Sequence, residues 1–233
     1  MLVSPDAACL NLGSFLSLAI GSTEKSASDI GNTWLSGLCA SGSCPNSTIV
    51  SVVQNFTTGC AEDLNNLSLG SIGVNDQTIL DYALAYYPTV RQIACLEDDA
   101  TNQLCVPETI SALESVVGPL GVADVQWDKL WKDIQTLITA DYKSLVCTGC
   151  VKEAYNIAAK VFPFPDLLTQ ASQPITDTCG ASFIDGNSVD GISQTALTGV
   201  FVAKTQSSVV AFRPRGFSLT MTVAISSAWF FFA

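Results

Sequence analysis

Nine cysteines punctuate the first 179 residues of this chain and none follows: Cys9, Cys39, Cys44, Cys60, Cys95, Cys105, Cys147, Cys150 and Cys179. A reducing cytosol does not maintain so many thiols unless a metal holds them. A cysteine-only zinc site needs two paired knuckles that close a tetrahedron. Cys147-Thr-Gly-Cys150 is the only CxxC, and the spacing from Cys39 to Cys44 is a poor mate for it. The set is therefore predicted to form disulfides in an exported protein. Each bridge restricts the unfolded chain and so stabilises the fold by about 2–4 kcal/mol. Spacing does not give connectivity, although Cys39 with Cys44 and Cys95 with Cys105 are plausible short loops. A redox role for the CxxC needs a preceding strand in a βαβ unit, and none is visible. A structural bridge, or two bridges to separate partners, is the expectation.

An odd count leaves one thiol over. Either it is free, or its partner is missing, or Cys9 is removed with a leader. Leu12–Ile20 is a weak candidate for the apolar part of such a leader, with cleavage after Gly21. Asp6, Asn11 and Ser14 and the lack of a preceding Lys or Arg argue against it. The preferred expectation is a chain that starts inside the mature protein, downstream of a leader.

The chain has no histidine. Ser-His-Asp and Cys-His catalysis, HExxH zinc sites and imidazole bases are thereby excluded. No Walker A, GxGxxG or GxSxG pattern occurs, so no cofactor is expected. Residues 1–128 carry 14 acidic and 2 basic side chains. That balance repels phosphate backbones and argues against nucleic acid as a partner. Asp185-Gly-Asn-Ser-Val-Asp190 falls out of register with a calcium loop and is expected to be a turn. Glu97-Asp98-Asp99 is expected to be a solvated loop.

Apolar residues recur with the period of a helix, and strand alternation is absent. Helices are predicted on the stripes Leu12-Phe15-Leu16-Ala19, Ile30-Trp34-Leu38, Ile49-Val52-Val53-Phe56 and Ile79-Tyr82-Ala83-Tyr86. Ser28 is expected to cap the second, Asn46 or Ser47 the third, and Asn75 or Asp76 the fourth. Pro88 is expected to end or bend the fourth helix. Pro107 reads as the first residue of a helix through Val117 that stops at Gly118-Pro119. The clearest stripe is Trp127, Leu130, Trp131, Ile134, Leu137 and Ile138, where both tryptophans are expected in the core rather than on a sugar platform. A further helix runs from Cys150 to Val161, closed by Pro163 and Pro165, with one more piece over Asp166–Ile175. The fold class is therefore all-α: a disulfide-stapled irregular helical bundle over residues 1–180. A Ser/Thr/Gly-rich flexible linker is expected over 181–216 and an apolar tail over 217–233.

The tail, FSLTMTVAISSAWFFFA, has no charged residue. Ser207 and Ser208 precede an eight-residue spacer, Val209–Gly216, that leads to it. A GPI signal needs small attachment residues, a spacer of about 8–12 residues and a tail of about 10–20. Spacer and tail fit; Val209 is bulky for the third attachment position. A transmembrane span is the alternative, but it wants about 20 apolar residues and this tail is shorter. The membrane, through a lipid anchor or the tail itself, is thus the expected partner. Three sequons, at Asn46, Asn55 and Asn66, are glycan acceptors in an exported chain.

The stretches SPDAACLNLGSFLSL (4–18), NTWLSGLCASGSCPNSTIVSVVQNFTTGC (32–60), CTGCVKEAYNIAAKVFP (147–163) and CGASFIDG (179–186) resemble a family of cysteine-containing cell-surface proteins of mushroom-forming fungi. The resemblance implies a signal peptide upstream and a GPI-type tail. A cysteine in that upstream part would account for the odd count. The family has no established activity, so the resemblance implies location rather than chemistry. The expectation is a non-enzymatic surface or cell-wall module. A binder of a small apolar molecule, such as a lipid or sterol, is the alternative, and a carboxylate-pair hydrolase a more distant one.

Overall fold

The computed structural model describes residues 5–21, 26–61, 75–118, 143–161 and 165–203. The predicted helix around Trp127 and Trp131 lies outside these residues, as do Asn66, Ser207, Ser208 and the tail. The described chain is mostly helical and stapled by disulfides, as the periodicity and the cysteines predict.

A 3-10 helix over Pro5–Leu10 turns at Asn11 (φ 50°) into α1 (Leu12–Gly21). Asparagine tolerates this left-handed backbone better than most residues. Its amide also fixes the corner, donating to the Trp34 carbonyl at 2.9 Å and accepting from the Ser14 hydroxyl at 2.7 Å. The Trp34 indole donates in return to the Leu10 carbonyl at 2.8 Å. Trp34 belongs to α2 (Ala27–Cys39), which buries Ile30, Leu35 and Leu38. Ser26, not Ser28, caps α2: its extended backbone lets the hydroxyl accept from Asp29 N at 3.1 Å. Ser28 instead donates to the Pro107 carbonyl at 2.9 Å.

α3 (Asn46–Gly59) has Pro45 at its cap position and no side-chain cap, so neither Asn46 nor Ser47 plays that part. The Pro45 carbonyl accepts from Thr48 N and Ile49 N, which starts the helix one residue early. Its buried side is Thr48, Ile49 and Thr57, and Phe56, expected inward, is 50% exposed. α4 (Asp76–Ala94) is capped by Asn75, which accepts from Thr78 N at 3.0 Å. It continues six residues past Pro88, which sits on its exposed side. Tyr82 is 43% exposed, whereas Ala83, Leu84 and Tyr87 pack against Cys9, Cys44 and Ile49.

A small antiparallel sheet follows, with order β2-β1-β3: β1 (Leu96–Asp98), β2 (Gln103–Leu104) and β3 (Ile192–Gln194). Glu97 and Asp98 thus stand in a strand rather than a loop. α5 (Cys105–Val117) starts two residues before Pro107, which is buried in the first turn where no amide partner is needed. Gly118 (φ 84°) ends it. α6 (Lys143–Val146), α7 (Gly149–Ala159) and α8 (Pro165–Cys179) come next, then a second 3-10 helix, Ala181–Ile184. Thr148 caps α7 through Val151 N at 3.2 Å, and Pro165 opens α8 rather than closing α7.

Residues 195–203 run back along the body. Thr195 N donates to the Cys95 carbonyl, Leu197 N to Cys39 and Phe201 N to Ser43, each at 2.8–2.9 Å. Gly42 allows this approach, because a Cβ there would lie 2.8 Å from Phe201 N. The helical domain expected to close at 180 therefore extends to Ala203. The linker expectation fails for 181–203 because short backbone contacts, invisible as periodicity, hold that stretch.

The core is built around sulfur. Among the described residues, three buried clusters each contain a bridge: Cys9–Cys44 with Ile49, Cys39–Cys95 with Leu35, Leu38 and Leu104, and Cys105–Cys150 with Leu96. Helices of this length are marginal alone. The bridges join them where large apolar side chains are few.

Candidate functional site

The disulfide pairs are Cys9–Cys44, Cys39–Cys95, Cys105–Cys150 and Cys147–Cys179, with Cα separations of 5.3–5.5 Å. The short loops expected for Cys39 with Cys44 and Cys95 with Cys105 do not form. Cys39 ends α2 and joins the Cys95 cluster, while Cys44 faces Cys9 across the turn into α3. Cys95 and Cys105 flank the β1–β2 hairpin and enter different clusters. The CxxC at the start of α7 makes two bridges to separate partners. Four disulfides mark an extracellular or secreted protein, since the cytosol keeps thiols reduced.

Cys60, half-buried at the end of α3, is the cysteine left over. Cys9 is fully buried and bridged, so its removal with a leader does not explain the odd count. Cys60→Ser is expected to change unfolding free energy by no more than about 0.5 kcal/mol in urea titrations, since it breaks no bond and opens no cavity. A larger loss would mean the thiol has a structural partner.

Of the three sequons, Asn46 and Asn55 are described and both are exposed on α3. The Asn55 amide donates to the Ser51 carbonyl at 2.7 Å.

Two carboxylates meet beside the sheet. Asp98 of β1 and Glu108 of α5 have oxygens within 4.8 Å of each other and of the Cys150 sulfur. That sulfur is in a disulfide and offers no thiolate to a metal. Asp98 accepts from Ala100 N at 2.8 Å, and the Thr101 hydroxyl is 3.5 Å from Glu108. Burial, then the neighbouring Asp98 charge, push the Glu108 carboxyl above its ordinary value, against a smaller pull from Thr101. The folded state thus holds this proton more tightly than the unfolded state. The resulting contribution to stability falls as pH rises from 4.5 through the folded value. Glu108→Gln is expected to be the more stable protein at pH 7 and to lose that advantage towards pH 4, in thermal melts at the two values. Equal melts at pH 7 would remove the argument.

The segment from Asp185 is a turn, as expected. Its carboxylate accepts from Asn187 N at 2.9 Å and pairs with Lys152 at 3.0 Å. The Asn187 backbone first, then Lys152, hold it below the ordinary carboxylate range. Its stabilising contribution is present above the unfolded value and is lost as pH falls through the folded one.

The described residues also form an apolar cleft of about 290 Å³. Val146 of α6, Val151 and Tyr155 of α7, Ile175 and Thr178 of α8, and Phe183 of the second 3-10 helix line it, and Cys179 brings its bridge into the wall. Neither Asp98 nor Glu108 is part of this lining. Thr148 starts α7 so that Val151 and Tyr155 lie one turn apart on one side. The Cys147–Cys179 bridge holds the end of α8 against them. No sequence signal marks the cleft, because its walls come from four short elements spread over residues 146–183. Among the described residues no helix is long and apolar enough to cross a membrane. No protein-family model, curated protein or solved structure matches the chain.

Proposed function

We propose that the protein is a non-enzymatic module held on the outer face of the cell, of the fungal surface family its cysteine-bearing phrases resemble. What carries the reading is that, among the described residues, the three buried clusters all centre on disulfides, a construction that persists only outside the cytosol. The tail over 217–233 and the small pair Ser207-Ser208 supply the means of attachment as a GPI signal. Asn46 and Asn55 offer exposed acceptors for sugars. Treating membranes that carry the mature protein with a phosphatidylinositol-specific phospholipase is expected to release it. Mass spectrometry of the released chain should find the anchor on Ser207 or Ser208 and residues 217–233 gone. An intact tail in the mature protein would overturn the anchored reading.

A second reading, binding of a small apolar molecule, is favoured by the cleft between α7 and α8. Its volume sits at the lower edge of small-molecule sites, roughly 300 Å³, and its lining is almost wholly apolar.

A further inference from the structure

The size and chemistry of the cleft narrow what it can hold. A liquid-packed group the size of water occupies about 30 Å³, so the cleft takes roughly ten heavy atoms. A whole sterol would extend well beyond it. A medium-length alkyl chain or a single-ring hydrocarbon fits.

The lining then selects the head group. Tyr155 and Thr178 are the lining residues that carry a hydroxyl. A hydroxyl both donates and accepts. Among the described residues no lysine or arginine lines the cleft. The adjacent Lys152 is committed to Asp185 at 3.0 Å and to the Ser182 carbonyl at 2.6 Å. A carboxylate entering here would shed water without gaining a cation, which is costly. A neutral hydroxyl or carbonyl would exchange water for a lining hydroxyl at little cost.

We infer that the cleft between α7 and α8 binds one small neutral amphiphile, of about ten heavy atoms with a single alcohol or carbonyl head. The inference rests on the second reading above and specifies its ligand.

Calorimetric titration of the full oxidised chain with decanol, decanoate and a sterol tests both together. Decanol is expected to saturate at one per chain with a negative heat-capacity change, the mark of apolar burial. Decanoate at neutral pH should bind at least about tenfold more weakly, because its charge finds no partner. Val151→Phe and Ile175→Phe fill the cleft from opposite walls. Each should weaken decanol at least about tenfold while far-UV circular dichroism stays unchanged. Tyr155→Phe should weaken decanol by about two- to tenfold, the worth of one hydrogen bond, and leave the weaker binding of decane unchanged. Decanoate or the sterol binding as tightly as decanol would overturn the neutral, ten-atom ligand while leaving the second reading standing. Decanol binding that survives both filling variants would overturn the site. Failure of all three probes would overturn site and reading together.

Discussion

Replacing Cys39 and Cys95 together by alanine is expected to lower the melting temperature by at least about 12 °C, with the other three bridges intact. The bridge spans 56 residues, and closing a loop of that length in the unfolded chain contributes about 4 kcal/mol. For a chain of this size each kcal/mol moves the midpoint by roughly 2–4 °C. The comparison that gives the experiment its force is Cys147→Ala with Cys179→Ala. That bridge spans 32 residues, and its loop entropy differs from the first by only about 0.5 kcal/mol. If bridges act only on the unfolded chain, the two double variants should melt within a few degrees of each other. They are expected to separate, because Cys95 is fully buried and Cys39 nearly so, while Cys147 and Cys179 are half-exposed. Removing the first pair opens space among Leu35, Leu38 and Leu104 as well as lengthening the loop. Calorimetry on both variants decides the matter. Equal losses would show that the sulfur-centred clusters add nothing beyond tethering.

The same pair shows how far a sequence can be read. That the cysteines are bridged followed from their number, their spacing and the missing metal ligands. Which pairs form depends on where Cys39 and Cys95 point at the ends of two helices, and spacing carries no trace of that. The start of α4 was legible to within one residue: Asn75 and Asp76 both qualified, and Asn75 caps it. The start of α2 was placed two residues late, at Ser28 instead of Ser26, and that of α3 was misread at Pro45, where the backbone starts the helix without a side chain. The three strands hold two or three residues each, too few for any alternation to show. The meeting of Asp98 with Glu108 depends on the β1–β2 hairpin turning at Asn102 (φ 53°), so no linear spacing foretells it. The cleft is assembled from α6, α7, α8 and the turn after them, none of which carries a ligand motif. Residues 181–203 looked like linker because Gly, Ser and Thr carry little periodic signal. Their backbone amides nevertheless find Cys95, Cys39 and Ser43.

Arg91 is the side chain that explains why that return segment stays down, and Arg91→Met is expected to cost about 2–4 kcal/mol. The residue is only 8% exposed, and among the described residues no carboxylate pairs with it. One guanidinium nitrogen, Nη2, donates to the Ser41 carbonyl and, at 3.1 Å, to the Leu197 carbonyl. Ser41 lies just past the end of α2, where exposed carbonyls concentrate partial negative charge that favours a cation. A buried charge answered by backbone carbonyls is weaker than a full ion pair, and Nε is left without a partner. Methionine relieves that burden and keeps the stem, but it leaves two carbonyls unmatched, each at about 1–3 kcal/mol. Because the site is shielded from solvent, the loss should persist in high salt, unlike that of a surface pair. Hydrogen exchange supplies the local readout. The amides of Leu197 and Phe201 should lose protection in the variant before those of α4, since the return segment is tied down by few other bonds. A variant within about 0.5 kcal/mol of the parent, as for an ordinary surface change, with Leu197 still protected, would show that backbone pairing alone holds residues 195–203 and that the buried cation is incidental.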